Sequence, residues 1–350
     1  MTFPEELPPA LAGPLRSEEK AYIEKLKKQG CLPFGVTPFF ASLAEGVPED
    51  PIRRQFFPDP REEEIRPYEL ADPLGEAQYR HGPRLVHQYR DRVLLLSNGA
   101  CAGYCRHCFR RVWMGKREGF ITAGELEEVL AYLREHREVR EILVSGGDPL
   151  SASDEKLVWL LGSLRRVRPE LLLRICTRVP VTDPRRIDGG LLDILRNFRP
   201  LRFVVHINHP RELAPEVRTV LSSGADAGLP VHIQTVLLKG INDDAEILAR
   251  LFRECLNLGA TPYYLFQGDL APGTGHFRTG LKEGLEIFRQ LRSRVSSLAL
   301  PVYAVDLPGG GGKIPLHDES IAGEKEDKSG QRFYLLRDAD GRLWEYPAEE

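Results

Sequence analysis

Basic excess, long apolar runs and a cysteine framework are all missing from this chain of 350 residues. Its 48 Lys and Arg stand against 51 Asp and Glu, a formal net charge of -3, so nothing pulls it generally toward nucleic acid or an anionic membrane surface. No apolar run approaches the ~20 residues that cross a bilayer, and no apolar segment follows a basic start as in a secretory leader. The composition therefore points to a cytoplasmic protein whose ligand is small. There are only six cysteines, and Cys31, Cys176 and Cys255 stand singly. That scatter excludes a disulfide framework or a second metal motif and suits lone buried thiols in a reducing compartment.

What the chain does have is the other three cysteines gathered into one short stretch, Cys101 to Cys108, reading CAGYCRHC. An iron–sulfur cube is normally held by four thiolates. Three leave one iron open, where a molecule with a free amine and carboxylate could chelate. The competing reading is a zinc knuckle with His107 or a distant cysteine as fourth ligand, and the short spacing favours the cube.

Around this loop the chain divides into three parts. Residues 1–90 are polar and proline-rich, with one amphipathic helix predicted at Ser17 to Gln29, opened by a serine cap; Pro48, Pro51, Pro58 and Pro60 argue against long elements beyond it. This part reads as a helical arm laid over the core. Residues 91–317 alternate apolar strands with helices, beginning with a strand at Arg92 to Leu96 and ending with one at Val302 to Val305. Such alternation means βαβ crossovers and a parallel sheet, and about six units predict an α/β fold with a partial (β/α)6 TIM-like barrel. Residues 318–350 carry a hairpin signal, Gln331 to Arg337 and Arg342 to Tyr346 around Asp338-Ala339-Asp340-Gly341. At 350 residues one large core is affordable in size.

Chemistry-bearing motifs fall at the predicted C-terminal ends of strands, where barrels place their sites. Ser145-Gly146-Gly147-Asp148-Pro149 follows the second strand, and its glycines would let backbone approach a ligand; a plain strand-to-helix turn explains it equally well. His206 to Pro210 ends the fourth strand and Gln234 lies in the fifth, and each could equally be a satisfied core group. Pro308-Gly309-Gly310-Gly311-Gly312-Lys313 is flexible backbone of a kind that phosphate often visits. It is a poor nucleotide-binding P-loop, because Ile314-Pro315 follows the lysine and forbids an ordinary helix start.

The three-cysteine spacing is the signature of the radical S-adenosylmethionine superfamily. With Phe109, Arg110 and Arg111, with Gly268-Asp269-Leu270, with His276-Phe277-Arg278-Thr279 and with the glycine–lysine loop, the stretch from about residue 80 to 317 resembles the lysine 2,3-aminomutases. The resemblance implies a [4Fe-4S] cluster on Cys101, Cys105 and Cys108, S-adenosylmethionine (SAM) near Ser145, Gly146, Gly147, Asp148, His206, Asn208 and Gln234, and pyridoxal 5'-phosphate (PLP) carried by Lys313. Arg92 matches a contact on the phosphate side, while Gln88 is neutral where a basic residue is expected. Arg110 matches the arginine that takes the amino acid's carboxylate, and Asp269 and Asp306 match the pair that receives its remote ammonium. The implied reaction converts L-lysine to β-lysine, with an electron donor such as flavodoxin or ferredoxin. The tail after Lys313 lacks the cysteines with which many family members bind zinc at a subunit contact, so a homo-oligomer would have to assemble differently. Alternatives are a relative that prepares β-lysine for elongation factor P, an aminomutase for glutamate or arginine, and a zinc-stabilised binding barrel without catalysis.

Overall fold

A computed structural model describes residues 17–29, 32–112 and 119–348. Its centre is a ten-stranded sheet whose strands lie in chain order: β1 (Arg80–His81), β2 (Leu85–Tyr89), β3 (Arg92–Asn98), β4 (Glu141–Gly146), β5 (Leu172–Thr177), β6 (Leu201–His206), β7 (Val231–Val236), β8 (Ala260–Phe266), β9 (Val302–Leu307) and β10 (Gly312–Pro315). Neighbours from β3 to β9 pair in parallel, and six crossovers carry the helices Ala123–Glu135, Asp154–Val167, Gly189–Arg196, Pro215–Asp226, Ala245–Asn257 and Leu281–Arg294. The predicted six βα units are present, with a seventh parallel strand closing the series.

Residue types explain the layers. Four of the six helices open at a residue that satisfies free amide hydrogens or lacks one: Thr122 and Glu125 form a capping box, Asp188 accepts from Leu191 N–H, Asp244 accepts from Glu246 and Ile247 N–H, and Pro215 starts its helix at a position needing no donor. That proline is why the fourth of these helices begins at 215. In the strands, alternate residues are fully buried: Ile142 and Val144 on β4 and Ile233 on β7 pack toward the helices with Leu157, Leu160 and Leu164. The intervening residues are only half-buried and turn to the lumen. Arg174 on β5 donates to the Tyr263 hydroxyl on β8 at 3.3 Å, three strands away, a contact that can only cross the interior.

The sheet does not close on itself. β1–β2 and β10 are antiparallel flanks, and the seam between them is spanned by side chains. Gln78 Nε2 and the Tyr79 hydroxyl donate to the carbonyls of Gly309 and Gly310, both at 2.9 Å, and Gln88 Nε2 reaches Gly310 O at 3.3 Å. One expectation needs correcting here and one extending. The first 90 residues are more than a helical arm, since Arg80–His81 and Leu85–Tyr89 form β1 and β2; buried Leu85 and Val86, too short an apolar run to signal a strand, anchor them. The expected C-terminal hairpin is present as β12 (Arg332–Arg337) and β13 (Leu343–Pro347), and a further strand, β11 (Ile321–Glu326), extends it to a three-stranded antiparallel sheet. Strand β11 is an exposed polar edge with a register shift at Ile321 and Gly323, so no apolar alternation betrays it.

Candidate active site

The cysteine loop leaves β3 at Asn98 and is clamped by the N-terminal arm. Tyr104 N–H donates to Gly35 O and Arg106 N–H to Gln55 O. Arg106, wholly buried, lays its fork on Glu62, with Nε to Oε1 at 2.8 Å, and Arg111 shares the same carboxylate. Burial holds the Cys101 and Cys108 thiols up, Cys108 to about 11, and the neighbouring thiols add to it. A bound cation reverses that preference by stabilising thiolates. Among the described residues, the only three His, Cys, Asp or Glu ligand atoms within 4.8 Å of one another are elsewhere. The three thiols are therefore not drawn into the tight grouping of a preformed single-ion site. His107 forms no tight ligand grouping with the cysteines: its ring lies tilted against His206 and edge-on to Phe277, and its buried Nδ1 has no partner.

Cys105 has a second neighbour that sequence reasoning missed. Arg178, just past β5, donates through Nη1 to Cys105 Sγ at 2.9 Å, and its other nitrogen reaches Gln55 Oε1 and Glu212 Oε2. Gln55 closes the group by donating to Glu212 and accepting from Asn208 Nδ2, both at 2.9 Å. A lone arginine after a strand and a lone glutamine in the arm carry no spacing rule, so only the fold brings them together.

The glycines after β4 serve a purpose other than opening space for a ligand. A Cβ on Gly146 would stand 2.5 Å from Asn98 O, and one on Gly147 would stand 2.4 Å from Ala100 O. The amide hydrogens of Gly147 and Asp148 donate to those same two carbonyls. The glycines thus let the β4 loop lie directly on the root of the cysteine loop. Asp148 has both carboxylate oxygens engaged, accepting from Leu150 N–H, Thr177 Oγ1, Arg178 N–H and Val179 N–H; burial nevertheless raises it to about 6. Asn208 is equally spent, on His206, Gln55, His107 and Val236 N–H. Ser145, His206 and Gln234 remain half-buried along the lumen, and burial beside the Arg178 charge keeps His206 neutral, at about 3.

At the other side of the mouth, β10 turns back on β9 so that Lys313 pairs in register with Asp306. Their side chains form an ion pair, and the Lys313 ammonium lies 4.0 Å from the Phe266 ring centre. Three loop glycines, 309, 310 and 312, have left-handed φ of 69°, 97° and 79°, and the fourth is flat against Trp344, which a Cβ on Gly311 would strike at 2.6 Å. Tyr89, with Arg92 stacked 4.0 Å over its ring, accepts the Lys313 N–H through its hydroxyl at 2.9 Å. Gln88, neutral where a basic residue is expected, is occupied holding Gly310.

Asp269 lies beyond β8 and is pushed up to about 7, first by burial and then by the Asp306 charge, with Lys313 and Arg110 opposing. Asp306, Lys313, Arg110 and Glu76 thus lie near enough to Asp269 for their charges to act on it. Arg110 is not free: it grips Glu76 in a two-pronged ion pair at 2.5 and 2.6 Å, and both side chains are nearly inaccessible. Sequence reasoning missed Glu76, which arrives on the short strap Asp72 to Tyr79 whose Gly75 abuts Gly309 and Gly310.

Residues 96–252 match the radical SAM superfamily. Over 334 residues the chain is 36% identical to the L-lysine 2,3-aminomutase of Clostridium subterminale, covering 95% of this chain and 79% of that one. The chain belongs to the lysine 2,3-aminomutase family. A provisionally named L-lysine 2,3-aminomutase of Treponema pallidum is 44% identical over 315 residues, 89% of each chain, and the glutamate 2,3-aminomutase of Clostridioides difficile is 35% identical over 332 residues, 94% of this chain and 76% of its own. As an aminomutase-family protein it is an enzyme of the isomerase class, built on the radical SAM chemistry of a [4Fe-4S] cluster and SAM. Cys101, Cys105 and Cys108 are the donor set suited to that cluster. Among the described residues no helix is long and apolar enough to cross a membrane.

Proposed function

We propose that this family member is an L-lysine 2,3-aminomutase that carries PLP on Lys313. The observation that carries the choice of substrate is the charge inventory of the mouth. Three carboxylates, Glu76, Asp269 and Asp306, face two cations, Arg110 and Lys313. Covalent attachment of PLP would take Lys313 away from Asp306, leaving a surplus of negative charge that a second ammonium neutralises and a second carboxylate aggravates. That favours lysine over glutamate. Several features suit PLP: an amine among aromatic faces, a glycine backbone closely braced from the seam, and Arg92 nearby for a phosphate. A lysine amine condenses reversibly with an aldehyde once deprotonated.

When bound, the cluster with SAM supplies a radical able to remove a β-hydrogen, and PLP supplies the π-system over which nitrogen migrates. The protein's own work is placement. Asp306, released by Lys313, and Asp269 receive the ε-ammonium, Arg110 takes the α-carboxylate, and Ser145, His206 and Gln234 line the SAM side while Gly146, Gly147, Asp148 and Asn208 fix the loops that hold it. Phe266 and Tyr264 exclude water around the lysine loop.

The test is an anaerobic assay comparing L-lysine with L-glutamate across pH, with dithionite as reductant. Below about pH 7 Asp269 holds a proton and cannot attract an ammonium; above it, it is ionised. The kcat/KM for lysine should therefore rise with pH through about 7 and above, because PLP on Lys313 removes a cation that lowers Asp269, by up to about tenfold per unit on the acid side, and Asp269→Asn should erase that limb while lowering the plateau. A glutamate preference, or a limb that survives Asp269→Asn, would refute the assignment.

Glu76 supplies a second prediction. The substrate carboxylate must compete for Arg110, and removing one member of a buried pair strands the other at a cost of roughly 3–5 kcal/mol. In Glu76→Gln the stranded arginine lowers the Tm of the ligand-free enzyme, and substrate binding returns part of that cost. The expected result is a KM for lysine reduced about tenfold, equivalent to about 1.4 kcal/mol. An unchanged or raised KM would show that Glu76 does not compete for the arginine.

A further inference from the structure

On the outer face of the barrel, away from the mouth, three imidazoles and a carboxylate converge where the β1–β2 hairpin meets the end of helix Ala123–Glu135. His87, on β2, His136, which ends the helix, and Glu138 each offer one ligand atom, and these atoms all lie within 4.8 Å of one another. His136 Nδ1 is already 2.8 Å from Glu138 Oε1, and His87 Nδ1 is 2.7 Å from the Tyr132 hydroxyl. His81, exposed on β1, lies with its ring centre 6.1 Å from that of His87 and 6.4 Å from that of His136. Tyr132 fills the floor, stacked on His136 at 3.8 Å. Among the described residues this is the one such grouping, and the reaction described above has no use for it.

We infer that His87, His136 and Glu138 form a binding site for a borderline transition metal ion of the Zn²⁺ type, with His81 able to swing in as fourth ligand. Imidazole nitrogens with one carboxylate select zinc-like ions over Mg²⁺ or Ca²⁺, which prefer all-oxygen sets. Tetrahedral zinc, with bonds of about 2.0–2.1 Å to nitrogen, needs its ligand atoms roughly 3.4 Å apart. Half-exposed side chains on a hairpin and a helix end can close from 4.8 Å to that spacing by rotamer adjustment alone. The Tyr132 hydroxyl would yield His87 Nδ1 to the metal or, if Nε2 is the ligand, remain as the outer partner that orients the ring.

The site ties a helix end to the sheet's edge, one residue before Gln88 and Tyr89, whose side chains hold Gly310 and the Lys313 amide. Occupancy therefore stiffens the strand that backs the lysine loop.

The experiment is equilibrium dialysis of the cluster-loaded enzyme, purified anaerobically, against micromolar Zn²⁺, with zinc and iron counted together and Tm measured with and without zinc. One zinc per chain is expected without loss of iron, together with a higher Tm. His87→Asn and His136→Asn should each weaken zinc binding by at least about tenfold and abolish the Tm rise while keeping full iron. The control His317→Asn, in an exposed turn, should bind zinc like the parent. Three outcomes would overturn the site: no zinc uptake by the parent, zinc retained by both variants, or zinc gained only as iron is lost, which would place it on the cysteines.

Discussion

A Lys313→Ala enzyme keeps its iron and its fold but turns over L-lysine at least about a thousandfold more slowly than the parent. The side chain is half-buried and its one ion-pair partner, Asp306, is similarly accessible, so losing the pair costs little stability in a partly solvated setting. The backbone around it does not depend on the amine, because Gly309, Gly310 and Gly312 keep their left-handed turns and the residue 313 N–H still reaches Tyr89. Chemistry suffers in two ways. The amine that would bind PLP is gone, a loss no neighbouring group can replace. Asp269 also loses a cation that holds its pKa down, so it keeps its proton to higher pH and attracts the substrate ammonium less. Borohydride treatment of the PLP-loaded parent followed by peptide mapping should place the label on Lys313. A label on Lys239 or Lys282, or full turnover by the alanine variant, would move the cofactor elsewhere.

Replacing Cys105 with alanine should produce a colourless protein that assembles no stable cluster and makes no β-lysine. Of the three thiols, this is the one with a cation against its sulfur, so it has a double task. It supplies a corner of the cube, and it satisfies the buried Arg178. Without the sulfur, the guanidinium retains Gln55 and Glu212, so the fold should survive with a lowered Tm. Two remaining thiolates cannot hold four irons in a loop that offers no other donor, since His107 is turned toward His206 and Phe277. Iron analysis after anaerobic reconstitution decides the matter: parental iron content and activity in the alanine variant would show that the sulfur is not a ligand.

Much of this architecture was legible because its signals are local. The CAGYCRHC spacing, the glycine run ending in Lys313 and the repeated apolar strand each state a chemistry or a period within a dozen residues. The paired residues were not legible. Gln55 and Arg178 meet across 123 positions and Glu76 and Arg110 across 34, and neither pair obeys a periodicity. Polar residues brought together by the fold leave no trace in a hydrophobic pattern, which is also why the exposed edge β11 escaped notice. The glycines of the β4 loop show the opposite failure. Their presence was plain, but the close neighbour that required them is the protein's own backbone at Asn98 and Ala100.

The bracing of the two halves of the mouth also sets an order in time. Most residues that frame the thiols, from Gln55 and Glu62 through Arg178 to Glu212, are synthesised before position 213, with Gly273 and Phe277 added later against Arg111 and His107. The lysine loop, in contrast, is shored up by Trp344 against Gly311, and the neighbouring Asp269 loop by the Tyr346 hydroxyl donating to Gly268 O at 3.2 Å. A chain emerging from the ribosome therefore has most of the cluster's framework in hand well before Trp344, which backs the lysine loop, is made. The metal-holding half can mature first, and β13, translated well after it, shuts the half that carries Lys313.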